Sequence, residues 1–217
     1  MIGIVVKAVC CIARILLTKE QAYKLATWWA VKDPLPAKID AILLVSFGAT
    51  KTGLSNGTQA TTQRACELLA KYPNALLLFG EFTKNPISGL EAEIKHKTFP
   101  TGKYAGQVIS TIEEEEECEK VAPKLVDRVL IVSDEAHSRG VKLVGKKVWG
   151  KRPFRPEIFV DCVSSRDVID LESPMETLRD PRDWVAVNIF RQLILWLPGG
   201  FALLKGSGSY QPSSEVK

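Results

Sequence analysis

Apolar residues along this chain follow two alternating patterns. Asp40–Val45, Ala75–Phe79 and Arg128–Val132 are short, nearly continuous apolar runs, as expected of strands covered on both faces. Gln107–Ile109 and Glu157–Val160 are briefer runs that read as two more strands. Between them the apolar positions change to helical spacing. Ala65, Leu68, Leu69 and Tyr72 mark a helix over Thr61–Tyr72, a short one follows near Leu90–Lys97, and Trp184–Leu197 closes the series before Pro198-Gly199-Gly200. A further helix opens at Glu113–Glu117. Ser110 or Thr111 can cap it, because Glu113 and Glu114 each stand three residues on. That acidic run reads as a solvated helix start rather than a metal site, since glutamates are favoured at a helix N-terminus.

Strands alternating with helices imply right-handed crossovers and a parallel sheet. The expected fold is α/β: a Rossmann-like three-layer sandwich with a mostly parallel sheet of about five strands. Three segments divide the chain: an amphipathic helical segment over 1–35, the α/β domain over 36–204, and a Gly/Ser-rich disordered tail over 205–217. Helix is expected from the start to about Ala30, where Asp33-Pro34-Leu35-Pro36 stops it. Ile2–Leu17 is shorter than the roughly 20 apolar residues a bilayer requires. Lys7 and Arg14 interrupt it, so it reads as an amphipathic helix packed on the domain or lying on a membrane surface, with a degenerate membrane anchor as the alternative.

Composition narrows the class without naming a partner. The 217 residues are 46% hydrophobic and 25% charged, enough for a real core. A formal net charge of +4 is too small for a dedicated nucleic-acid binder. The five cysteines show no zinc-type spacing and read as reduced thiols of a cytoplasmic protein, and His96 and His137 lie in different segments, so no metal site is expected. Two motifs mislead. Gly48–Ser55 has the glycine spacing of a phosphate-binding loop, but Leu54 stands where lysine is required; Asp134-Glu135-Ala136-His137 spells a helicase box without the rest of a helicase.

In parallel α/β sheets ligands bind beyond the carboxyl ends of the strands. That rule selects four loops: Ser46–Thr50, Gly80–Thr83, Ser110–Glu114 and Ser133–Arg139. With these residues in order, the chain resembles the ElyC/SanA/YdcF family of bacterial Rossmann-like proteins from roughly Asp40 to Leu197. The resemblance rests on Asp40-Ala41, Arg64-Ala65, Glu91-Ala92, Ser110–Glu114 and Val129–Ser133 followed by His137 and Arg139. The strand-end rule and the resemblance together give a site with His137 and Glu114 as catalytic candidates and Gly48, Arg64, Gly80, Glu91, Thr111, Ser133 and Arg139 as ligand-binding candidates. The resemblance also implies a role in cell-envelope or surface-polysaccharide metabolism, and one branch is associated with S-adenosylmethionine. The chain departs from the family in having fewer glycines after the first two strands, which leaves less room for backbone amides to approach a phosphate.

Chemically, His137 can serve as general acid or base and Arg139 can clamp a phosphate or carboxylate. Each also has a structural alternative: His137 as a helix cap, Arg139 paired with Asp134 or Glu135, and Arg64 paired with Glu67 one turn later. The function expected is an enzyme or binding protein for an anionic, phosphorylated or nucleotide-like small molecule, a transferase or hydrolase if catalytic. The alternatives are a non-catalytic module on an anionic membrane surface and an S-adenosylmethionine binder. The cluster Lys142, Lys146, Lys147, Lys151, Arg152 and Arg155 reads as a solvated helix face or as a contact for anionic lipid.

Overall fold

The protein is described from a computed structural model, over residues 2–206. Its centre is a five-stranded, all-parallel sheet: β1 (Ala41–Leu44), β2 (Leu76–Phe82), β3 (Lys103–Val108), β4 (Arg128–Asp134) and β5 (Glu157–Val163), in the order β3-β2-β1-β4-β5. The helices are α1 (Ile2–Leu16), α2 (Lys19–Trp29), α3 (Asn56–Lys71), α4 (Leu90–Thr98), α5 (Thr111–Val121), α6 (Glu135–Trp149), α7 (Ser165–Val168), α8 (Pro181–Trp196) and α9 (Gly200–Gly206), with a 3-10 turn over Glu176–Arg179. This is the Rossmann-like three-layer α/β architecture that the alternating runs predict.

Period-two alternation sorts the two cores. Ile42, Leu44, Leu130 and Val132 face α3, where Ala65, Leu68 and Tyr72 cover them. Ala41, Leu43, Val129 and Ile131 face the larger core beneath α5, α6 and α8. Ala22 and Ala26 of α2 are buried in that same core, so the first two helices are packed into the α/β body. Strand order reverses between β1 and β4, where connections leave to opposite faces of the sheet and a crevice opens beyond the strand ends.

Several expected boundaries differ. The first helical segment is two helices, because Thr18 forms a capping box with Gln21 and restarts the chain as α2. α3 begins at Asn56 rather than Thr61, its first turn held by the side chain of Ser55. β3 covers Lys103–Val108 rather than Gln107–Ile109; as an edge strand it is half exposed and lacks a buried strand's apolar run. Gly80–Phe82 belong to β2, and Ser133 and Asp134 to β4, because each continues to pair with its neighbour beyond its apolar stretch. Glu114 and Glu115 are buried, contrary to a wholly solvated acidic run: α5 lies on the sheet and turns Ile112, Glu115 and Cys118 inward. Lys205 is part of α9, while the rest of the Gly/Ser-rich tail, from 207, lies outside the described residues.

Candidate functional site

Beyond the ends of β1, β2 and β4 the structure holds a cavity of about 130 Å³, an order of magnitude above the roughly 10–15 Å³ one water needs. Its floor is polar: Ser46 follows β1, Thr111 and Glu114 come from the first turn of α5, and His137 from the first turn of α6. Its walls are largely apolar. Phe47 and Trp184 stand edge-on to the His137 ring, with centroids 6.5 and 5.7 Å away, and Val6 of α1, Leu195 of α8 and Leu204 of α9 complete the far side. Arg191 of α8 brings a cation to the wall.

His137 and Thr111 form the most chemically suggestive pair. Thr111 Oγ1 lies 3.0 Å from His137 Nε2, while His137 Nδ1 is buried without a protein partner. The side chain is half-buried, yet the enclosing protein pushes its pKa down to about 3, helped by the charge of Arg191. The imidazole is therefore neutral near pH 7, with one nitrogen able to accept a hydrogen bond. The whole pair stands at helix first turns, which strand-end topology fixes in space.

Behind the floor lies a dense ionic network. Glu91 and Lys95, one turn apart on α4, form an ion pair of 2.7 Å with both side chains fully buried. Glu91 accepts hydrogen bonds from the Ser46 hydroxyl, from Phe82 N (2.9 Å) and from Asn85 Nδ2 (2.9 Å), and Lys95 Nζ donates to Gly80 O at 2.9 Å. Lys95 and these donors hold Glu91 below the usual carboxylate range against its burial. Glu114 accepts from Ser46 N at 3.1 and 3.2 Å through its two oxygens. Burial raises its pKa to about 7, with Glu91 adding to the rise and Lys95 and the backbone amides of Ser46 and Gly80 opposing it. Gly80 is close-packed here: a Cβ would meet Glu114 Oε1 at 3.1 Å and Val108 Cγ2 at 3.2 Å.

Thr111, Glu114 and His137 thus line one cavity, with Gly80 and Glu91 directly behind them. The remaining candidates are placed elsewhere. Arg139 stacks on the Trp29 ring at 4.9 Å and donates to Trp29 O at 3.2 Å, because two residues along α6 from His137 point to a different side of the helix. Neither Asp134 nor Glu135 holds it. Arg64 sits mid-helix on α3 and pairs with Asp161 of β5 at 2.7 Å and with Glu67, away from the cavity. Ser133 is buried in β4 with its hydroxyl unpartnered. Gly48 is a turn residue: its φ is +84°, and a Cβ there would meet Pro174 Cγ at 2.8 Å and Asn85 Oδ1 at 2.9 Å.

The loop after β1 also spends its amides internally. Ser46 N donates to Glu114, Phe47 N to Thr58 Oγ1, Ala49 N to Asn85 Oδ1 and Thr50 N to Gly53 O. In the segment spelling a helicase box, Asp134 caps α6 and its Oδ2 accepts from Ser165 Oγ (2.6 Å) and Trp184 Nε1 (3.0 Å), with Oδ1 buried and unpartnered, while Glu135 accepts from Ser165 N at 3.1 Å. Sequence reasoning missed Ser46, Lys95 and Arg191. Arg191 carried a signal: Trp184, Asn188, Arg191, Gln192 and Leu195 recur at helical spacing, so one face of α8 sets three polar residues among apolar ones. Comparison with models of known protein families, with characterised proteins and with solved structures finds no match, so the site is read from its geometry.

Proposed function

We propose that the cavity binds an anionic, amphipathic small molecule and processes it by acid–base chemistry, with Glu114 as the titrating group and His137 as a neutral hydrogen-bonding partner. The observation that carries this reading is the geometry at His137, a cavity-lining side chain with Nε2 3.0 Å from Thr111 Oγ1 and Nδ1 buried without a partner among the described residues. A buried polar atom without a partner is costly unless something else uses it. Arg191 supplies the cation for an anionic group and the apolar walls take a hydrocarbon portion. In this scheme Glu114, poised near neutrality, exchanges a proton with the ligand as the acid–base group, while neutral His137 and Thr111 hydrogen-bond and orient the ligand.

The resemblance to ElyC/SanA/YdcF proteins enters the proposal through Thr111, Glu114 and His137, and with it a transferase or hydrolase role in envelope chemistry. A nucleotide or S-adenosylmethionine receives less support, because the amides after β1 that would cradle it are bonded within the protein. Calorimetric titration with decyl phosphate, inorganic phosphate and S-adenosylmethionine separates these ligands. Binding of decyl phosphate that disappears in His137→Gln and Arg191→Gln, measured on protein shown to be folded, is the expected result. Silence with decyl phosphate, or tighter binding of S-adenosylmethionine, overturns the reading.

A further inference from the structure

The helices that wall the cavity turn large apolar side chains into solvent. On α1, Ile4 is 76% and Ile15 82% exposed, with Ile12 and Leu16 beside them; Leu193 and Trp196 of α8 and Leu203 of α9 are also exposed. α1 runs antiparallel to α8. Arg14 near the end of α1 pairs with Asp183 in the first turn of α8, while Val6 near its start meets Leu195 and Leu204 at the cavity. The start of α1, the end of α8 and α9 therefore gather at one cavity wall, and each turns other apolar side chains to solvent.

An independent feature adjoins it. A groove of about 610 Å³ runs past the end of α6; Lys142, Lys146, Lys147, Lys151 and Arg155 line it, against two acidic residues, Asp33 and Glu157. Lys147 and Lys151 stand 5.2 and 5.9 Å from the Phe201 ring of α9, so groove and apolar face meet at that helix. Among the described residues, Lys146 and Arg155 take part in no ion pair, whereas Lys142 is tied to Asp33 and Arg152 to Glu119.

We infer that this composite face docks on an anionic lipid bilayer, with α1 lying in the plane of the interface and the basic groove on headgroup phosphates. The cavity's ligand is then a lipid drawn from that bilayer, a step that rests on the cavity reading above. Charge complementarity selects this occupant. A second copy packed isologously on the same face would bring two positive grooves together, while an anionic surface neutralises both the groove and its approach. No helix among the described residues is long and apolar enough to cross a membrane, and α1 has 15 residues, so contact is peripheral.

Flotation of the full chain with phosphatidylcholine vesicles, with and without phosphatidylglycerol, tests the inference. The protein should float with the anionic vesicles only. Lys146→Gln and Arg155→Gln should each lower apparent affinity roughly fivefold, and Ile12→Asn/Ile15→Asn should abolish flotation while leaving the melting temperature unchanged. His137→Gln should float like the natural chain even as it loses decyl phosphate binding; flotation without any decyl phosphate binding would sink the cavity reading and leave the docking surface standing. The inference is overturned if the natural chain stays at the bottom with anionic vesicles, if the double asparagine variant floats unchanged, or if sedimentation reveals a dimer that this variant dissociates.

Discussion

The two sides of the cavity floor differ in how their polar atoms are satisfied. Around Glu91 and Lys95 every charge has its counter-charge and a set of hydrogen bonds: Ser46, Phe82 N and Asn85 on one, Gly80 O on the other. Around His137, at the start of α6, one ring nitrogen is buried with no partner among the described residues and the other meets only Thr111. A closed network fixes the shape of strand ends. An open one leaves bonding capacity for something that arrives later. The difference assigns structure to the first side and chemistry to the second, although both contain residues of the types that catalyse.

The largest effect should come from opening the closed side. Lys95→Met leaves the Glu91 charge buried and uncompensated, which typically costs about 3–5 kcal/mol, visible as a large drop in urea midpoint. Glu91→Gln/Lys95→Met removes both charges and should recover much of that loss. If the single variant is as stable as the natural chain, the pair is not structural and Glu91 returns to the list of ligand groups. Gly48→Ala follows in size. Its φ of +84° and the 2.8 Å approach to Pro174 Cγ predict roughly 1–3 kcal/mol of destabilisation, with decyl phosphate binding retained in the folded fraction.

How far this division was legible in the sequence depended on whether a residue's role is set by its neighbours in the chain or in space. Ile42–Leu44 and Leu130–Val132 announce buried strands because both faces demand apolar side chains. The edge strand at Lys103–Val108 and the short α7 and α9 carry no such pattern. At the site, Thr111, Glu114 and His137 could be found from strand-end topology, since the first turn of a following helix has few places to go. Lys95 could not: nothing in Glu91-Ala92-Glu93-Ile94-Lys95 tells a buried pair from the exposed pair that Glu93 and Lys97 form two residues on. Arg64 and Arg139 went the other way, because Asp161 and Trp29, distant in sequence, claimed them.

Arg139 offers a smaller and sharper test of the comparison, since it shares a helix with His137 but belongs to the satisfied side. Its guanidinium over Trp29 and its bond to Trp29 O are worth about 1–2 kcal/mol together. Arg139→Ala should lower thermal stability by that amount and leave decyl phosphate affinity within twofold or so, roughly 0.4 kcal/mol. A tenfold loss of affinity without a stability change would place Arg139 at the ligand after all.

The smallest effect in the natural chain is its pH dependence, because the two sides oppose each other. The pKa of His137 falls from about 6.5 to about 3 on folding, so the unfolded chain binds the extra proton and stability is lost as pH drops through 6.5 towards 3. Glu114 does the reverse. With a folded pKa of about 7 against about 4.5 for an unperturbed glutamate, the folded chain takes up the proton first and stability grows as pH falls from 7 to 4.5. Glu115 and Asp134, whose pKa values burial also raises, act in the same direction as Glu114. Between pH 4.5 and 6.5 these contributions offset one another, and substitution should separate them. Urea midpoints of His137→Gln should climb on acidification relative to the natural chain, while those of Glu114→Gln should fall. Parallel midpoint-versus-pH curves for all three proteins would mean that neither group titrates as its surroundings dictate, and the contrast between a poised carboxyl and a neutral imidazole on one cavity floor would be lost.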